Sequence, residues 1–91
     1  MVAKEILDFL NRHRVRATYG AVADLLGVLP RGVGAMLGEK RPEASWVVNA
    51  QTGEPTGYTK MQCHPELRSN TTILRTGDEL RRAIRRDRFQ P

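Results

Sequence analysis

At 91 residues the chain has room for one modest domain built on a single small core, which excludes a second domain and a deep catalytic barrel. Its net charge of +5 and pI near 10.1 favour an anionic partner, and twelve of its fifteen cations are arginine, whose planar fork suits phosphate. The one cysteine, Cys63, excludes an internal disulfide, and no apolar run has the length of a signal peptide or a membrane span, so a reducing, cytoplasmic location is expected.

The chain starts with VAKEILDFLNRHR, which sets Val2, Ile6, Phe9 and Leu10 at helical spacing with charges opposite and predicts a first helix. Arg12, Arg14 and Arg16 then bracket Val15 in a short connection that faces either a phosphate backbone or water. Residues 18–40, TYGAVADLLGVLPRGVGAMLGEK, organise the rest as a helix-turn-helix pattern. Thr18 is placed to cap a helix whose Val22, Leu25 and Leu26 share a face and which Gly27 ends. Pro30 suits the first turn of a second helix, in which Val33, Met36 and Leu37 repeat the spacing up to Gly38. Its outward residues Gly32, Gly34 and Ala35 are small and Arg31 projects a charged fork, properties that suit entry into a DNA groove. A plain pair of core helices fits the same pattern.

After Gly38, EKRPEAS reads as a loop and SWVVN as a strand. Gly53, Pro55 and Gly57, flanked by Trp46, Val47, Val48 and Tyr58, predict a β-hairpin, which beside a helix-turn-helix makes a wing. MQCHPELRSN has no clean period and reads as a loop with one helical turn after Pro65; residues 71–74 read as a short strand. Thr76 and Glu79 form a capping box that opens a helix through Leu80, Ala83 and Ile84 to about Arg86. The opposite face of that helix carries Arg81, Arg82, Arg85 and Arg86, placed for phosphates or solvent, and residues 87–91 read as a frayed tail. Residues 68–91 hold seven Lys or Arg against three acids, where residues 1–67 hold eight against seven.

Cys63 beside His64 invites a nucleophile reading, but adjacent side chains seldom aim at each other and no third group orients them. The same pair with distant His13 lacks metal-ligand spacing, the acids are scattered singly, and the glycines form neither a P-loop nor a dinucleotide fingerprint. No enzyme activity, metal, cofactor or membrane partner is expected.

The order TYG, a Gly-terminated helix, PRGVGAML, a loop and WVVNAQTG resembles the C-terminal DNA-binding domain of alkylguanine-DNA alkyltransferases, and more closely the alkyltransferase-like proteins that lack the reactive cysteine. The resemblance covers about residues 15–53. It implies that Tyr19 helps to rotate a DNA phosphate and that Arg31, in RGVG, enters the base stack as a finger while a nucleotide is flipped out. The family's enzymes read Pro-Cys-His-Arg before a Val-Val or Val-Ile pair. Here Glu43-Ala44-Ser45-Trp46 precedes Val47-Val48, so Ala44, with Ser45 and Trp46, stands at a vestigial active site, and alkyl transfer is excluded on this alignment. The loop before it is shorter than in the enzymes, and the closing segment of the family has no counterpart.

Together these readings predict a small α/β, winged helix-turn-helix-like single domain over residues 1–91, with three to four helices and a short β-hairpin. It binds duplex DNA without catalysis, as a sensor that passes modified or distorted bases to a repair protein. The alternatives are a winged-helix regulator or accessory protein, and a protein-binding adaptor.

Overall fold

A computed structural model describes residues 2–88 as a mixed α/β domain with extents of 35 × 28 × 22 Å. In chain order the elements are α1 (Ala3–His13), β1 (Arg16–Thr18), α2 (Tyr19–Leu26), α3 (Pro30–Leu37), a 3₁₀ turn (Pro42–Ala44), β2 (Val47–Val48), a second 3₁₀ turn (Lys60–Gln62), β3 (Ile73–Leu74) and α4 (Gly77–Arg88). The strands form one parallel sheet in the order β2-β1-β3, with Ala17 opposite Val47 and Leu74.

The capping chemistry acts as the sequence predicts. Thr18 Oγ1 accepts from the Ala21 amide at 3.0 Å and donates to Arg75 O at 3.3 Å, so the cap of α2 also ties β1 to the chain leaving β3. Gly27 closes α2 in the left-handed region at φ 72°, and Pro30 opens α3. At α4, Thr76 Oγ1 accepts from the Glu79 amide while Glu79 Oε1 accepts from the Thr76 amide, each at 3.1 Å. Ile6 and Leu10 of α1, Val22 of α2, Val33 of α3, Trp46, Val47 and Leu80 are wholly buried in one core.

Gly77 sits where α4 crosses α2. A Cβ there would collide with the Asp24 side chain as far back as its Cβ, at 2.8 Å, so the two helices meet only because position 77 has no side chain.

Several expectations need correction. The hairpin wing does not form among the described residues: Val47 and Val48 pair in parallel with Ala17 and Thr18. Both valines are buried, as are Ser45 and Trp46, and a strand covered on both faces fits a parallel sheet rather than a half-exposed hairpin. The Gly and Pro signals instead curl the chain on itself: the Gly53 amide donates to Asn49 O at 2.8 Å and the Asn49 amide to Glu54 O at 2.9 Å. The connection after α1 contains strand β1, and Arg16 is buried there rather than exposed to water. Met36 is exposed, because α3 turns Val33 and Leu37, one turn apart, into the core and leaves Met36 off that stripe. Val2 precedes α1 and is exposed. The helical turn expected after Pro65 is a pair of turns without a helix, and the 3₁₀ turn lies earlier, at Lys60–Gln62.

The frayed tail is also corrected in part, since α4 runs through Arg88. Asp87 is held by Arg12 and, at 2.8 Å, by His13 Nε2, and Arg88 reaches Glu5 at 3.3 Å. Residues 89–91 of that expected tail lie outside the described residues.

Candidate nucleic-acid interface

The axes of α2 and α3 meet at 88° across a short break, close to the crossing of a helix-turn-helix. Val22, Val33 and Leu37 fill the angle between them. On the far side of α3, Arg31, Gly34, Ala35 and Met36 are exposed and Gly32 is half-buried. A Cβ at Gly32 or Gly34 would meet nothing within 4 Å. Internal packing therefore does not require either glycine, although each costs a helix interior roughly 1 kcal/mol relative to Ala. The side chain of Arg31 has no hydrogen bond or ion pair among the described residues, whereas Arg41 donates to the last turn of α3 at Leu37 O, 3.0 Å away.

Tyr19 lies half-buried at the start of α2, where its Oη accepts from the Thr56 amide at 3.3 Å and keeps its own proton to donate outward. Lys40 Nζ donates to Gly57 O at 3.0 Å, so the segment after β2 is bound to both ends of the helix pair.

The four arginines of α4 divide into two pairs. Arg81 and Arg82 reach Asp78 at 3.5 and 3.4 Å, which neutralises part of their charge, while Arg85 and Arg86 are exposed without an ion pair among the described residues. Both α3 and α4 pack on α2.

Positions 44–46 are closed. Ala44, Ser45 and Trp46 are at most 1% exposed; Ser45 Oγ donates to Pro42 O at 2.7 Å and accepts from the His64 amide at 2.9 Å, and Trp46 Nε1 donates to Asn11 Oδ1 at 2.9 Å. Positions 44–46 are thus structural core. Directly outside it, the His64 ring lies 4.9 Å from that of Trp46 and lines a cleft of about 930 Å³ with Glu54, Pro55, Tyr58, Met61 and Arg68. Sequence reasoning missed this cleft, because its walls come from an aperiodic loop. Leu67, buried under the loop, was an apolar signal within it.

Cys63 also lines the cleft, and burial pushes its thiol above the ordinary value, opposite to the shift that activates a nucleophile. Burial likewise raises Tyr58, and Arg41 offsets only part of that shift. Among the described residues no three His, Cys, Asp or Glu side chains gather as a metal-ligand set, and no single helix is long and apolar enough to cross a membrane.

Compared with known proteins, the chain matches no family model, no curated protein and no solved structure. The alkyltransferase-like resemblance accordingly rests on the sequence motifs alone.

Proposed function

We propose that the chain is a non-catalytic, cytoplasmic DNA-binding protein of the alkyltransferase-like type, which recognises modified or distorted bases for repair. The observation that carries this reading is the outer face of α3, where two glycines without an internal packing role adjoin an arginine without an internal partner. A bare helix surface of this kind lets the backbone approach a groove wall closely, with Gly32, Gly34 and Ala35 against the DNA. Arg31 then enters the base stack, and its contacts offset the few kcal/mol that unstacking and flipping cost. Tyr19 donates its hydroxyl proton to a phosphate, and Arg85 and Arg86 add sequence-independent affinity with Arg81 and Arg82 behind them. The segment bound to Tyr19 and Lys40 flanks the helix pair, which supports the winged-helix-like reading although no hairpin forms among the described residues.

One observation favours a second reading. Val28 and Leu29, in the break between α2 and α3, and Met36 of α3 are 37%, 61% and 47% exposed, which suits an apolar protein surface. A titration of plain and alkylguanine-bearing duplexes at two salt concentrations separates the readings. Steeply salt-dependent binding with a preference for the modified duplex supports the sensor, equal affinity for both duplexes supports a regulator, and absence of binding to either supports the protein adaptor.

A further inference from the structure

We propose that the arginine cluster around loop 49–54 is a binding site for a phosphate-bearing anion. Three guanidiniums from separate parts of the chain converge on this one loop. Arg75 Nη1 donates to Ala50 O at 3.1 Å, Arg16 Nη1 to Gly53 O at 2.9 Å, and Arg68 to the Glu54 carboxylate. Arg16 also reaches Asn70 O at 3.3 Å and is only 9% exposed, and its Nε is buried with no partner among the described residues.

Peptide carbonyls satisfy N–H donors without neutralising the charge, and a guanidinium buried away from any carboxylate is costly to keep. Glu54, the only acid of the loop, is taken by Arg68. Of the two acids that follow Arg75 in the chain, Asp78 faces Arg81 and Arg82, and Glu79 turns its carboxylate to the amides of Arg75 and Thr76, at 3.1 Å each. Burial, then Arg68, then Arg75 lower the Arg16 pKa, so all three charges act on one another. The result is a fixed, buried cation with two exposed arginines beside it and a surplus of positive charge that the protein leaves unmatched. An anion with several oxygens, reached by the forks of Arg68 and Arg75, completes the balance. Arg75 also lines the groove at the helix-turn-helix break with Gly20, Val28 and Pro30, so an anion held here stands beside the helix pair.

The source of the phosphate is either a small phosphorylated species or the backbone of duplex DNA; only the second rests on the function proposed above. The test follows the Arg16 Nε–H resonance of the full chain in heteronuclear NMR during titration with inorganic phosphate and, separately, with duplex DNA. It is repeated on the Arg68→Gln/Arg75→Gln double variant, whose changes lie on exposed side chains. We expect the resonance to move with at least one ligand, and the double variant to bind that ligand roughly tenfold more weakly, with a duplex salt dependence shallower by about 1 to 2 in log–log slope. Movement with phosphate assigns the site to a free anion, and movement with duplex alone assigns it to the backbone. No movement with either ligand, or undiminished binding by the double variant, overturns the proposal. A parent chain that binds no duplex sinks the DNA reading, yet leaves the phosphate arm to decide this site. Arg31→Ala should weaken duplex binding without altering the phosphate titration.

Discussion

The outer face of α3 and positions 44–46 are the two regions that the family resemblance picks out, and they have opposite physical character. On the outer face of α3, Gly32, Gly34 and Ala35 carry little or no side chain beside Met36, and Arg31 is exposed with no hydrogen bond or ion pair among the described residues. At positions 44–46 every side chain is enclosed, the Ser45 hydroxyl and Trp46 indole are both hydrogen-bonded, and β2 begins immediately afterwards. Open space and an exposed guanidinium mark the first region, and close packing around Trp46 marks the second.

Trp46→Ala attacks the buried side of this contrast and has the largest expected effect. Loss of the indole should cost roughly 3–5 kcal/mol, most of the stability of a small domain, and should also strand Asn11 Oδ1. Chemical denaturation followed by circular dichroism measures it. A loss under about 1 kcal/mol would mean that positions 44–46 are not the core element described here.

Arg31→Ala attacks the exposed side. Stability should change by no more than about half a kcal/mol, while duplex affinity falls by roughly 1–3 kcal/mol. Retained thermal melting with weakened fluorescence-anisotropy titration is the expected pair of results, and unchanged affinity would move the reading to the protein adaptor.

The two halves of the α4 arginine row refine the surface side further. Replacing Arg85 and Arg86 by Ala should flatten the salt dependence of duplex binding by up to about 2 in log–log slope. Replacing Arg81 and Arg82, already shared with Asp78, should flatten it less. Equal effects from the two pairs would show that Asp78 does not hold its arginines when DNA is bound.

Asp87 supplies a partly buried charge to set beside the unmatched Arg31. Burial by itself raises its carboxyl, but the hydrogen bond from His13 and the charge of Arg12 outweigh that and hold it below 3.8. The stabilisation is therefore complete above about pH 4 and is lost as pH falls through the folded value. Urea midpoints measured from pH 7 down to pH 2 should fall less steeply for Asp87→Asn than for the parent below pH 4, and the variant should be the less stable at pH 6. The smallest effect belongs to Cys63→Ser, which should leave stability within about half a kcal/mol and duplex binding unchanged. A methyl adduct on Cys63 in mass spectra after incubation with methylated DNA would overturn the non-catalytic reading.

Signals that act within a few residues were legible in the sequence. Thr18, Gly27, Pro30, Thr76 and Glu79 marked helix ends correctly, because caps depend on chemistry within one turn. The sheet was not legible in the same way. Arg16-Ala17-Thr18 shows neither alternation nor β-branched enrichment, and it is a strand only because Val47 and Leu74, far along the chain, pair around Ala17. For the same reason the wing was misplaced: the turn residues were read correctly as turns, but the partner of Val47 and Val48 lies before them rather than after. At the candidate interface the sequence supplied Tyr19, Arg31 and the glycines. It could not supply the cleft behind Trp46 or the burial of Arg16, which depend on loops with no period folding against one another.

The empty position at Gly77 acts as a ruler. Because α4 rests on Asp24 with no side chain between, the distance of the arginine row from the helix-turn-helix is set by the thickness of a bare backbone. Any larger residue at position 77 must lift that end of α4 away from α2 and carry the arginines with it, changing the spacing at which two separate surfaces could meet one duplex. A residue with no side chain thus fixes the spacing between two charged helices.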